Sequence, residues 1–85
     1  MTDPEYELMD EIYFVTPYSN LSRILGWEDS KILATLQTLC EKGWIRCFTT
    51  PTDELLPAEV DLDQYFKKYY YLASKSGLEA HHGTG

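Results

Sequence analysis

Residues 21–45 read Leu21-Ser-Arg-Ile-Leu-Gly-Trp-Glu-Asp-Ser-Lys-Ile-Leu-Ala-Thr-Leu-Gln-Thr-Leu-Cys-Glu-Lys-Gly-Trp-Ile45, two helical patterns separated by a glycine turn. The second pattern is the clearer. Ile32, Leu33, Leu36, Leu39 and Cys40 recur at i, i+1, i+4, i+7 and i+8, the stripe of an amphipathic helix. The opposite face carries Lys31, Ala34, Thr38 and Glu41, with Thr35, Gln37 and Lys42 at its margins. This predicts a helix over about residues 29–42, capped by Glu28 or Asp29 and stopped by Gly43 at C′. The first pattern predicts a short helix over about 20–25, with Ser19 as N-cap, Leu21, Ile24 and Leu25 on the buried side, and Gly26 as its stop. Trp27 and Trp44 bracket the longer helix and are expected to anchor its ends.

Working outward, Pro4 suits a first helical turn, and Leu8, Ile12 and Val15 recur at spacings of four and three. A first helix over about 4–15 follows, ended by the restriction that Pro17 places on Thr16. Downstream, residues 44–48 and 68–73 are rich in aromatic and branched side chains and read as two antiparallel strands. Residues 49–63 between them hold two prolines and five acids and read mostly as loop, with a helical turn expected near 63–67. Ser74 is placed to cap a short last helix over about 75–81, from which Leu78 returns to the core.

The order is helix, helix, turn, helix, strand, long loop, strand, short helix. With Leu25-Gly26 at the turn, Ile32, Leu36 and Leu39 down the third helix and Gly43-Trp44-Ile45 after it, residues 21–45 resemble the helix-turn-helix core of the winged-helix superfamily. Tyr71-Leu-Ala-Ser-Lys-Ser-Gly-Leu78 looks like that family's closing strand, and the resemblance covers about residues 5–80. It implies an α+β fold: a winged helix-turn-helix with a three-helix core, a two-stranded antiparallel wing and a short C-terminal helix, in one domain over 1–85. It also implies a recognition-type third helix, on which Ser30, Lys31, Ala34, Thr35, Gln37 and Thr38 would face base edges. Phosphate contacts would fall to Arg23, Arg46, Lys67 and Lys68.

Charge sets that implication against a competing one. The chain has 85 residues and a net charge of −7. Residues 1–20 carry Asp3, Glu5, Glu7, Asp10 and Glu11 and no base; residues 51–66 carry Asp53, Glu54, Glu59, Asp61 and Asp63 and no base. Binding to DNA draws on several Lys or Arg side chains gathered on one surface. Here Glu28 and Asp29 stand at the start of the third helix and the expected wing tip is wholly acidic, so DNA binding is expected to be weak and to need a dimer. At a protein interface, acids at the rim give specificity instead of repulsion. Tyr69, Tyr70 and Tyr71 strengthen that side, because alternation sends Tyr70 to one face of a strand and Tyr69 and Tyr71 to the other. One set is a candidate protein interface unless the 49–66 segment covers it with Leu55, Leu56, Val60 and Leu62.

The expectation is therefore a small regulatory domain of the transcription-factor type. Its partner is expected to be a protein or a second copy of the chain, bound through the first helix, the aromatic strand face or the acidic loop. A dimeric, sequence-specific DNA-binding regulator is the alternative. No apolar run approaches the roughly 20 residues of a membrane span, and the first residues lack a signal-peptide pattern, so a cytoplasmic location is expected. Cys40 and Cys47 are expected as packing thiols and His81-His82 as a solvated tail. With no zinc-type spacing, nucleophile–base pair or phosphate cradle, no enzyme activity, metal, cofactor or small-molecule substrate is implied.

Overall fold

A computed structural model describes residues 1–83. They form five α-helices and one four-stranded antiparallel sheet: α1 (Asp3–Asp10), β1 (Thr16–Pro17), α2 (Tyr18–Leu25), α3 (Asp29–Glu41), β2 (Ile45–Thr50), β3 (Asp53–Glu54), α4 (Leu62–Tyr65), β4 (Tyr70–Ala73) and α5 (Lys75–Gly83), with a 3₁₀ turn at Pro57–Glu59. The sheet order is β1-β4-β2-β3.

α3 sits where its stripe predicts. Ile32, Leu36 and Leu39 are fully buried, and Leu33 and Cys40 pack at the edge of the same cluster. The helix ends in a Schellman arrangement: Gly43 N–H donates to the Cys40 carbonyl and Trp44 N–H to the Leu39 carbonyl, with Gly43 at φ 71°. Glu28 occupies the N-cap position, yet neither it nor Asp29 supplies a side-chain cap. α2 is longer than expected, starting at Tyr18 with Pro17 as N-cap, so Ser19 lies inside the helix. Tyr18 and Leu21 take its buried face, with Leu25 packed beside them, and that leaves Ile24 exposed rather than buried.

α1 stops at Asp10, five residues short of the expected end. Glu11 and Ile12 close the last turn by donating to the Leu8 and Met9 carbonyls, and the Ile12 carbonyl then accepts from Ala73 N–H of β4. Ile12 is still buried, so its apolar spacing is met by a bend rather than by another helical turn. Thr16 and Pro17 instead pair with Tyr71 and Tyr70 as an edge strand, a place where a missing N–H is tolerated.

β2 and β4 pair antiparallel with Ile45 opposite Ala73 and Cys47 opposite Tyr71. The expected two-stranded wing is in fact part of a larger sheet. β2 runs on to Thr50 and turns at once through Pro51-Thr52 into β3, with Asp53 N–H donating to Thr50 Oγ1 at 3.2 Å. The rest of the 49–69 connection folds back over the sheet and contributes Leu62 to the core.

Two local devices lock the helices to this frame. Ser74 Oγ accepts from Gly77 N–H at 3.0 Å and donates to the Gly43 carbonyl at 2.7 Å, tying α5 to the end of α3. Gly77 lies so close that a Cβ there would overlap the Trp44 carbonyl oxygen. At the other end, Glu5 caps α1 with Thr2 and pairs with Lys42 Nζ at 2.9 Å, which joins α1 to α3. Burial raises the pKa of Glu5, but the Thr2 backbone N–H and the Lys42 ammonium outweigh it and hold the carboxyl at about 2, against an ordinary 4.5.

Two outcomes follow for stability. Gly77→Ala should lower the unfolding free energy in urea by about 1–3 kcal/mol, whereas Gly83→Ala, with no atom within 4 Å of the added carbon, should leave it unchanged. Equal midpoints for the two variants would contradict the packing of α5 on Trp44. A carboxylate with a depressed folded pKa contributes stability in full above its unfolded pKa and loses it as pH falls. The Glu5 contribution is therefore complete above about pH 4.5 and gone near pH 2. Glu5→Gln should cost on the order of 2 kcal/mol at neutral pH, the half-exposed Lys42 being discounted for screening. It should also flatten the acid limb of the stability profile, and an acid limb as steep as the parent's would refute this role.

Candidate functional site

α3 carries the residues that the sequence marks as base readers, and the fold separates them. Ser30, Lys31, Ala34 and Thr38 are exposed. Thr35 is buried and its Oγ1 donates to the Lys31 carbonyl at 2.8 Å, which withdraws it from any reading surface. Gln37 is half-buried and its Nε2 donates to Asp63 Oδ1 at 2.7 Å. Asp63 belongs to α4, so the acidic segment lies directly beside this helix. On the other flank, Ala34 and Thr38 share a groove with Thr2 and Pro4 at the start of α1.

The four candidate phosphate contacts do not gather into one free basic surface. Arg46 grips Glu54 of the neighbouring β3 with two hydrogen bonds, one of them Nε to Oε2 at 2.9 Å. That guanidinium holds the Glu54 carboxyl below its ordinary range. Lys67 Nζ stands 3.0 Å from Asp29 Oδ2. Arg23, on α2, donates to Asn20 Oδ1 at 3.3 Å. Lys68 lies away from α3, in a groove described below. Lys31, for its part, rests over the Trp27 ring at 4.3 Å from its centroid.

Asp29 has a different task from capping. It accepts a hydrogen bond from the hydroxyl of buried Tyr18 and faces Lys67, and these partners hold its carboxyl below the usual range, the Tyr18 bond first. Tyr18 in turn meets Phe66 edge to face, with centroids 5.2 Å apart. The start of α3, the start of α2 and the chain leading into β4 are thereby joined at one point.

The tyrosine strand resolves into core. Tyr71 is fully buried and donates to the Phe66 carbonyl at 2.6 Å; Tyr69 is buried and its hydroxyl accepts from Asp61 N–H at 3.1 Å. Tyr70, on the other face, is half-buried. Of the expected protein-interface residues, Tyr69 and Tyr71 are thus inside, covered by the 60–66 segment with Leu62. The covering is incomplete. Leu56 is 66% exposed and Tyr65 42% exposed. Beside them Leu55, Tyr65 and the edge of Tyr69 line an open groove of about 500 Å³ together with Thr49, Glu59 and Lys68.

The remaining titratable groups divide clearly. Burial pushes the Cys40 and Cys47 thiols up, Cys47 to about 12, so both stay protonated and unreactive at neutral pH. His81 is a correction: α5 carries it into the interior, with 5% of its surface exposed, while His82 stays at the surface. His81 Nε2 is 2.9 Å from Asp10 Oδ1, and Nδ1 is 2.7 Å from the Tyr13 hydroxyl. The spacing of Gly77 and His81 on one face of a helix was the available signal. Among the described residues no group of three or more His, Cys, Asp or Glu side chains is placed to hold a metal ion, and no helix is long and apolar enough to cross a membrane. Comparisons with family models, with curated proteins and with solved structures give no match to this chain.

Proposed function

We propose that this chain is a winged-helix domain of the transcription-regulator type that acts as an acidic protein-interaction module. Its α3 corresponds to the recognition-type helix, and β2 and β4 to the wing. The partner is a protein segment that is basic and carries an aliphatic or aromatic anchor.

One observation carries this reading. The open groove of Leu55, Tyr65 and Tyr69 is built largely from the segment that holds Asp53, Glu54, Glu59, Asp61 and Asp63, while Arg46 and Lys67 are already engaged by acids of this chain. Glu59 and Lys68 both line the groove, but residues 51–66 around it carry five acids and no base. An apolar anchor beside an excess of one charge favours a partner of the opposite sign. Exposed Leu56 and Tyr65 supply apolar surface that nothing in the described fold covers. Base reading by a dimer would have to work from Ser30, Lys31, Ala34 and Thr38 alone, between Asp63 on one flank and Glu28 and Asp29 at the helix start.

Panning a random peptide library on the folded protein tests the proposal. The parent should enrich sequences that combine Lys or Arg with one large apolar residue, and the double variant Leu56→Ser, Tyr65→Ser should lose that enrichment. Both positions are exposed, so the variant should keep the parent's unfolding midpoint to within about 0.5 kcal/mol. Enrichment of acidic peptides, or equal enrichment on both proteins, would overturn it.

A further inference from the structure

A second groove, of about 490 Å³, is lined by Tyr6, Asp10, Tyr13, His81 and His82. It shares no residue with the groove of Leu55 and Tyr65, and its chemistry is different: four aromatic rings and one carboxylate. The rings are held rather than loosely adjacent. Tyr6 stacks on His81 with centroids 4.1 Å apart and planes 21° from parallel. Tyr13 stands edge-on to both imidazoles, and its hydroxyl lies 2.7 Å from His81 Nδ1 and 3.2 Å from His82 Nε2. Asp10 Oδ1 fixes the far side of the His81 ring at 2.9 Å. The Tyr13 hydroxyl contacts to both imidazoles, the Tyr6–His81 stack and the close approach of Asp10 to His81 therefore set the walls in place before any ligand arrives.

What remains open to solvent points to a cation. The inner face of Tyr6 is taken by His81, yet 40% of the residue is exposed, and half of the Asp10 side chain is exposed. No Lys or Arg lines the groove, and residues 1–20, which supply three of its five walls, carry five acids and no base. An anionic ligand would meet a carboxylate in a region of negative potential. A neutral apolar ligand would leave the Asp10 carboxylate, already partly dehydrated against His81, without a counter-charge. A cation gains from both features, because aromatic faces and carboxylates attract it together. Among cations, a guanidinium is planar, stacks on aromatic rings and presents parallel N–H donors to a carboxylate.

We infer that this groove is a receptor for an arginine side chain of a partner protein, with the guanidinium against Tyr6 and its N–H groups directed to Asp10. The site does not depend on the Leu55–Tyr65 groove. If one partner reaches both, each contributes separately.

A ¹H–¹⁵N correlation titration of the intact protein with N-acetyl-arginine amide tests the site directly, with the isosteric N-acetyl-citrulline amide and N-acetyl-lysine amide as comparators. Arginine should shift the amide signals of Tyr6, Asp10, Tyr13 and His82 along one saturating curve, with a dissociation constant on the order of 10 mM. Citrulline should not shift them, and lysine should bind about five-fold more weakly. Asp10→Asn, which keeps the size of the side chain and removes its charge, should weaken arginine binding about five-fold. The Leu56→Ser, Tyr65→Ser protein should bind arginine as the parent does. Equal shifts with citrulline would overturn the cation assignment, and equal binding of lysine would overturn the choice of arginine. Shifts confined to residues around Leu55 and Tyr65 would overturn this site while leaving the other groove's role standing.

Discussion

Two buried tyrosine hydroxyls, one within β4 and one just before it, determine much of what this chain can present. Tyr69 and Tyr71 are large rings in the core, and a buried hydroxyl without a partner costs free energy that a domain of this size can ill spare. The partners are backbone groups of the preceding segment: the Phe66 carbonyl for Tyr71 and the Asp61 N–H for Tyr69. Those two bonds fix residues 61 and 66 over the sheet and let Leu62 fall into the core between them. Where the acidic segment lies is thus decided by the hydrogen-bond needs of the aromatic strand.

Its charges then have definite addresses. Asp63 meets Gln37 on α3, Glu54 meets Arg46 on β2, and Lys67, at the end of the same segment, reaches back to Asp29. Each contact is partly exposed and contributes little to stability by itself. Together they change what α3 and its neighbours offer to the outside, because Arg46 and Lys67 are already beside carboxylates. The apolar side chains of the segment that do not reach the core, Leu56 and Tyr65, are left at the surface. Core packing and the groove of Leu55 and Tyr65 are consequences of the same fold-back.

The elements read from long periodic patterns agree with the structure, and the disagreements have physical causes. The α3 stripe and the left-handed glycines Gly26 and Gly43 are local properties and stand in the sequence as such. The spacing of Ile24 fits Leu21, but Tyr18, Leu21 and Leu25 centre the buried face of α2 and leave Ile24 on its exposed side. The spacing of Ile12 and Val15 predicts a longer first helix because a bend and a helix can bury the same spacing. The Ala73 N–H bond to Ile12 and the pairing of Thr16–Pro17 with β4 distinguish them, and both are contacts across more than 50 positions of sequence. Two-residue strands such as Thr16–Pro17 leave no periodic trace. The tyrosine run showed that one face needed cover and named Leu62 as part of it, without showing that Leu56 would stay outside. His81 looked like tail because its partners, Asp10 and Tyr13, are about 70 residues away and say nothing until α5 closes on α1.

The central claim is that Arg46 and Lys67 are taken by this chain's own acids and that the acidic segment lies beside α3, from which we predict that the domain does not bind DNA by itself. Fluorescence anisotropy of a labelled random-sequence duplex, titrated with the protein at about 50 mM and again at about 200 mM salt, measures this most directly. The account predicts no binding at micromolar protein at either salt. Micromolar binding at the lower salt that collapses at the higher would reveal a working phosphate surface and would contradict it.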